Sequence, residues 1–113
     1  MKTLVIGYGN VLRGDDGVGP AVADRLAALA LKDVEVRSAT QLQLEWAAEW
    51  SGYERVVLID AAVEGAPFSR ERVWPGDGGE GDGGAHELPA EVLVALARVL
   101  YGRAPEVWRW RIR

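Results

Sequence analysis

The sequence predicts an α/β fold, in which helices cover both faces of a mostly parallel sheet. Strand-like and helix-like segments follow one another in the order β-α-β-α-β-β-α-β. Residues 55–60 contain four consecutive branched apolar side chains before an aspartate, which is typical of a strand buried on both faces. A glycine-rich stretch, residues 7–19, separates the first strand from the first helix, where open α/β sheets form binding sites.

The first half of the chain supplies two further strands and two helices. Residues 2–6 form a short β-rich run, and residues 34–37 alternate between apolar and polar side chains, so both segments predict strands. Residues 20–31 predict a helix, because Pro20 suits a first helical turn and apolar residues recur with helical spacing. Residues 41–50 predict a second, short helix. Its expected inward side chains are Leu44, Ala47 and Ala48.

The second half predicts two strands, a loop and a helix. Residues 70–74 and 107–112 have strand patterns, and residues 76–84 are too rich in glycine to form anything but a loop. Residues 89–101 predict a helix that ends at Gly102. The expected apolar stripe of this helix consists of Leu88, Val92, Ala95, Leu96 and Val99.

Length and composition predict one ordinary globular domain, residues 1–113. The absence of cysteine excludes disulfides, thiolate metal sites and cysteine catalysis. The net charge of −4, from 13 basic and 17 acidic residues, argues against nucleic-acid binding. No apolar run approaches the ~20 residues that span a membrane, and no signal peptide begins the sequence, so we expect a cytoplasmic protein. Arg109 and Arg111 belong to one face of the last strand, which we expect to be solvated or to bind a partner.

The glycine-rich stretch begins like a dinucleotide-binding motif but does not complete it. Gly7 and Gly9 have the required spacing, whereas Leu12 stands where the third glycine is needed. Asp15 and Asp16 would also repel a pyrophosphate at a helix N-terminus. Helix capping, worth about 0.3–1 kcal/mol, explains one of these aspartates but not both. Nucleotide binding therefore stays a weak alternative, and the acidic pair favours a cation.

Two further residues are candidates for the same site. Asp60 ends the buried strand, and the carboxyl ends of parallel strands meet at one edge of the sheet. His86 is the only histidine and precedes the third predicted helix. Taken alone, Asp60 is equally well explained as a turn or cap residue. A lone histidine such as His86 is more often a solvated loop residue than a ligand. Two carboxylates and an imidazole together would suit Zn²⁺, Ni²⁺, Fe²⁺ or Mn²⁺.

The sequence offers no protein nucleophile of a familiar kind. Ser38, Ser51 and Ser69 lack the strand-to-helix turn that exposes a catalytic serine, and cysteine is absent. If the chain is a hydrolase, a metal ion or an activated water must therefore perform the chemistry.

Several motifs, taken in order, resemble those of the nickel-iron hydrogenase maturation proteases. The resemblance extends over essentially the whole chain, and its first motif is the most specific. The motifs are Gly7-x-Gly9-Asn10-x-Leu12-x-x-Asp15-Asp16-Gly17-x-Gly19, then Thr40-Gln41-Leu42, then Val57-Leu58-Ile59-Asp60-Ala61, and His86 ahead of a helix.

This resemblance implies a three-layer α/β/α fold with a five-stranded mixed sheet. It implies a hydrolase, an aspartic-type endopeptidase, that activates hydrogenase by removing the C-terminal extension of the large-subunit precursor after nickel insertion. Asp16, Asp60 and His86 match the family's metal-binding positions and would act through the docked metal. The nickel would be carried by the precursor, and other divalent ions could replace it. Lewis-acid polarisation of the scissile carbonyl, with water as the nucleophile, is the implied chemistry.

The remaining residues of the first motif would shape the loop around the site: Gly7, Gly9, Asn10, Asp15, Gly17 and Gly19. The resemblance also implies a final helix after the last strand, whereas this sequence ends at Arg113, so we expect that helix to be absent and one face of the strand to be bare. The expected partner is the hydrogenase large-subunit precursor, with no nucleic acid and no membrane, and the chain would be a monomer or weak dimer. The alternative is a shortened, non-catalytic module that binds the precursor or a divalent metal.

Overall fold

The computed structural model describes residues 2–9, 17–61, 65–76 and 88–113. Within these residues the elements follow the predicted order. The strands are β1 (Thr3–Tyr8), β2 (Val34–Ala39), β3 (Arg55–Ala61), β4 (Phe68–Val73) and β5 (Glu106–Ile112). The helices are α1 (Val18–Ala28), α2 (Trp46–Trp50) and α3 (Ala90–Tyr101).

The five strands form one mixed sheet in the order β2-β1-β3-β5-β4. Four of them are parallel to their neighbours, and only the edge strand β4 runs antiparallel, next to β5. Because β5 lies between β3 and β4, the last strand of the chain enters the interior of the sheet. The predicted α/β class and the mostly parallel five-stranded sheet are therefore confirmed.

Two apolar cores separate the sheet from its helices. On one face, Val56 and Leu58 of β3 belong to the larger core, which includes buried residues of α2 and α3. On the other face, Val57 and Ile59 form a smaller core, against which α1 packs. The continuous apolar run of β3 is thus buried on both sides, as expected for a central parallel strand.

Helix α2 is shorter than predicted, and of the three side chains predicted to face inward only Ala47 is buried. Residues 41–45 precede the helix. The backbone N–H groups of Trp46 and Ala47, at the start of the helix, donate hydrogen bonds to backbone carbonyls of this segment. A five-residue helix turns fewer than twice, so it buries only Ala47 and Trp50, which are three positions apart. The inward positions predicted for Leu44 and Ala48 are wrong, since both side chains are exposed.

Helix α3 ends where predicted, but only part of the predicted stripe faces the core: Leu88 and Leu96 pack against the larger core. Gly102 has a φ of 73° and its N–H donates to the Arg98 carbonyl at 3.0 Å, which stops the helix. The fully buried positions are Ala90, Leu93, Val94 and Ala97. Val99, placed inside by the sequence pattern, is 79% exposed. The helix is apolar nearly all round, so its periodicity alone could not select the stripe.

Truncation of Leu93 should therefore destabilise the protein far more than truncation of Val99. Leu93 is fully buried, and Leu93→Ala is expected to lower the free energy of unfolding by about 2–5 kcal/mol. Val99→Ala should change it by less than about 0.5 kcal/mol, as for other exposed positions. Urea unfolding of both variants measures the difference, and equal losses would contradict the observed orientation of α3.

The described helices include none that is long and apolar enough to cross a membrane.

Candidate functional site

The carboxyl ends of β1 and β3 lie side by side at one edge of the sheet. Gly7 is paired with Ile59, so Tyr8 and Asp60 follow at the same level of the two strands. On the other side of β3, Asp60 is paired with Arg111 of β5. In open α/β sheets the crevice beyond these strand ends is the usual position of a binding site. Asp60 therefore lies where the sequence predicts a functional carboxylate.

Helix α1 begins against these same strand ends because two glycines permit a very close approach. A Cβ on Gly7 would lie 2.1 Å from the Gly19 carbonyl oxygen. A Cβ on Gly19 would lie 2.6 Å from the carbonyl oxygens of both Tyr8 and Ile59. Contacts this short are impossible for any side chain, so only glycine fits at either position. The first turn of α1, which follows Gly17, is thus held directly beside Asp60's strand.

Asp60 is partly shielded from water and accepts a long hydrogen bond. The Tyr8 hydroxyl donates to Asp60 Oδ2 at 3.4 Å. Burial raises the pKa of the Asp60 carboxyl, and the Ala61 backbone amide, the Tyr8 hydroxyl and the nearby arginines offset only part of this effect. A partly buried carboxylate with incomplete compensation is a typical property of a functional site.

A largely, though not fully, buried arginine lies next to this pair. Arg109 of β5 is only 13% exposed and is paired with Glu91 of α3 at 3.2 Å and with Glu71 of β4 at 3.0 Å. Burial by itself lowers the pKa of Arg109, but the hydrogen bonds to Glu91 and Glu71 raise it by more. The guanidinium therefore stays charged beneath α3. The expectation that the arginine face of the last strand is solvated is wrong for Arg109, because Glu91 and Glu71 pair with it and only 13% of its side chain is exposed.

The opposite face of β5 carries its aromatic side chains. Trp110 and Ile112 are partly buried against the smaller core, and Phe68 meets Trp110 edge-on at 5.7 Å between ring centroids. Trp108 donates its indole N–H to Glu106 at 2.7 Å. This face of β5 is therefore partly covered by the residues of neighbouring strands and by the smaller core.

The predicted site residues divide into two groups. Five of them lie in the described part of the chain, at or next to the carboxyl ends of β1 and β3 or the start of α1: Asp60, Gly7, Gly9, Gly17 and Gly19. The remaining candidates lie outside the described residues: Asn10, Asp15, Asp16 and His86. Over the described residues, the structure brings no three acidic or histidine side chains into a cluster that could hold a metal ion. The metal-binding roles of Asp16, Asp60 and His86 stay predictions.

Sequence reasoning missed Tyr8 and Arg109, which the fold brings to Asp60. Tyr8 could have been noticed as a large aromatic residue between two glycines, at the end of a buried strand. Arg109 gave a weaker signal, because an arginine in an alternating strand is ordinarily solvated. Its proximity to Asp60 depends on β5 lying next to β3, and that neighbourhood is not encoded in any local pattern.

Comparison with known proteins finds similarity in three-dimensional structure. No protein-family model matches the chain, and no curated protein matches it in sequence. The nickel-iron hydrogenase maturation protease HycI from Thermococcus kodakarensis KOD1 superposes with a TM-score of 0.74 at 22% identity, over 99% of this chain and 73% of the other. The hydrogenase 2 maturation peptidase from Thaumarchaeota archaeon SCGC_AB-539-E09 gives 0.65 at 28% identity, over 99% and 79%. The hydrogenase maturating endopeptidase HybD from E. coli gives 0.73 at 20% identity, over 99% and 74%.

These similarities extend over nearly the whole of the present chain. They confirm its α/β fold and confirm the resemblance to the hydrogenase maturation proteases that its motifs indicate.

Proposed function

We propose that this chain, which shares the fold and motifs of the hydrogenase maturation proteases, is an endopeptidase that matures a nickel-iron hydrogenase. Its substrate would be the large-subunit precursor, and its reaction the removal of the C-terminal extension after nickel has been inserted. The observation that supports this most is the position of Asp60. It is a partly buried carboxylate at the carboxyl end of the central strand, beside the closely packed start of α1.

The site would recognise nickel as part of the substrate. In this proposal Asp16 and His86 complete the ligand set with Asp60, and the three would bind the ion that the precursor carries. Carboxylate oxygens and an imidazole nitrogen suit a borderline divalent ion such as Ni²⁺, and three protein ligands leave coordination positions free. A precursor without nickel would lack this contact, so cleavage would wait until the metal has been inserted.

The chain's own groups would supply position and charge. Burial disfavours the negative charge of Asp60, and the neighbouring groups compensate only part of this cost. A bound cation would compensate the rest, so the site would favour one. An ion bound in this way can polarise the scissile carbonyl towards attack by water, and no protein nucleophile is then needed. Asp15 would mainly orient the loop; the capping role expected for it is not proposed again, because the N-cap residue of α1 is Gly17. We further propose that the protein acts in the cytoplasm as a monomer or weak dimer, without nucleic acid or membrane.

The direct test of this function is cleavage. The full chain is incubated with a nickel-loaded large-subunit precursor, and mass spectrometry follows loss of the C-terminal extension. We expect cleavage of the nickel-loaded precursor and none of the metal-free precursor. Binding of the precursor without cleavage, under conditions in which a known maturation protease cleaves it, would contradict the enzyme and favour the non-catalytic module.

A metal-binding measurement tests the ligand set separately. Isothermal titration calorimetry with Ni²⁺ or Cd²⁺ should detect binding to the wild-type chain. Asp16→Ala and His86→Ala should each weaken that binding by more than about 100-fold, since the loss of a ligand costs more than the loss of its supporting hydrogen bond. Unchanged affinity in either variant would remove that residue from the proposed ligand set.

A further inference from the structure

We propose that Tyr8 and Arg109 act together as positioning residues that fix the orientation of the Asp60 carboxylate. The inference rests on the proposed function, because it concerns how Asp60 is prepared to bind the divalent ion. Neither residue touches the reacting atoms in this proposal, and both act through Asp60.

Tyr8 contacts Asp60 directly. The two residues end neighbouring parallel strands on the same face of the sheet, and the Tyr8 hydroxyl donates to Oδ2 of Asp60. The Tyr8 ring packs against the larger core, so the phenol cannot turn freely away from its acceptor. A phenol with its ordinary pKa of about 10 is protonated at neutral pH, so the hydroxyl is available as a donor.

The direction of the hydrogen bond would be set by Arg109. Arg109 lies on the same sheet face as Tyr8 and Asp60, with only β3 between its strand and β1, and in this proposal its guanidinium donates to the Tyr8 oxygen. A guanidinium has donors only, so the Tyr8 oxygen can only accept from Arg109. The hydroxyl hydrogen is then directed towards Asp60. This hydrogen bond holds Oδ2 and so orients the carboxylate as a whole.

Arg109 is itself rigid. Its guanidinium is held from two sides, by Glu91 in the first turn of α3 and by Glu71 in the edge strand β4. Planar donors paired with two carboxylates have little freedom to rotate. The result is a fixed chain of polar contacts from α3 through Arg109 and Tyr8 to Asp60. Hydrogen-bonded supports of this kind typically change metal affinity by about 10–100-fold when removed.

Tyr8→Phe is the first test, because it removes the hydroxyl and keeps the ring. We expect Ni²⁺ affinity, measured by isothermal titration calorimetry, to fall by about 10–100-fold. The matched control is Tyr53→Phe. Tyr53 also donates its hydroxyl to a carboxylate, that of Glu35 in β2, and this pair is remote from Asp60. Tyr53→Phe should leave Ni²⁺ affinity unchanged. Wild-type affinity in Tyr8→Phe would overturn the inference.

Arg109→Gln in a double-mutant cycle tests whether Arg109 acts through Tyr8. Alone, Arg109→Gln should weaken Ni²⁺ binding. Combined with Tyr8→Phe it should add no more than about twofold to the loss, because the group that transmits its effect is already gone. Fully additive losses would mean that Arg109 has only a general structural role. Arg37→Gln is the control for stability, since Arg37 makes a similar double hydrogen bond with Glu49.

The outcomes separate this inference from the proposed function. If the wild-type chain binds Ni²⁺ and cleaves the precursor, but Tyr8→Phe binds Ni²⁺ equally well, only the positioning inference fails. If Tyr8→Phe weakens Ni²⁺ binding but the wild-type chain cleaves no precursor, only the proposed protease activity fails. A wild-type chain that binds neither Ni²⁺ nor Cd²⁺ would overturn the inference together with the metal site.

Discussion

Replacement of Asp60 by alanine is expected to abolish processing of the hydrogenase precursor while leaving the protein folded. Of the three proposed metal ligands, Asp60 is the one that lies in the described residues. Its removal should weaken Ni²⁺ binding by more than about 100-fold. Loss of the ion contact would also remove the group that distinguishes a nickel-loaded substrate. Cleavage followed by mass spectrometry and Ni²⁺ titration measure the two effects on the same preparation.

The Asp60→Ala variant is also expected to be as stable as the wild type. Burial disfavours the charged form of Asp60, and its neighbours do not fully compensate, so this carboxylate contributes little to folding. We therefore expect the Asp60→Ala midpoint of thermal unfolding to be close to that of the wild type. Asp24→Ala, at an exposed position of α1, is the matched control and should retain both binding and cleavage. An inactive but unfolded Asp60→Ala, or an active one, would each contradict the proposal.

The sequence predicts the order of elements well because each strand or helix has a local signal. The strand β3, for example, can be recognised from its apolar run and the turn residues around it, which are all neighbours in the sequence. The inward stripe of α3 was predicted only in part, because a helix that is apolar nearly all round has two acceptable stripes. Only the packing of Leu93 against the larger core, rather than Val99, selects between them.

The candidate site is predictable to the extent that it depends on strand ends. Asp60 follows from the rule that parallel strands present their carboxyl ends at one edge. Tyr8 and Arg109 do not follow from it, since their meeting requires β5 to insert between β3 and β4. That insertion depends on the pairing of strands that lie far apart in the sequence. The low exposure of Arg109 likewise depends on its ion pairs with Glu71 and Glu91, which come from two other elements.

Substitution of Gly7 by alanine should have the largest effect on the fold itself. The new Cβ would lie 2.1 Å from the Gly19 carbonyl oxygen and 2.6 Å from its carbonyl carbon, and both are backbone atoms that no rotamer change can move. Helix α1 would have to shift away from β1, which would break the packing of Ala23 and the smaller core beside it. We expect a loss of more than about 4 kcal/mol in the free energy of unfolding, the size of a severe backbone clash.

Gly76→Ala is the matched control for this effect. The nearest atom to a Cβ at Gly76 is 3.7 Å away, an ordinary contact, so the same chemical change should alter stability by less than about 0.5 kcal/mol. Urea unfolding monitored by tryptophan fluorescence compares the two, since Trp50 is fully buried and reports loss of the core. A Gly7→Ala variant as stable as Gly76→Ala would mean that α1 does not pack directly on β1. The close placement of α1 beside Asp60, on which the proposed site depends, would then be wrong as well.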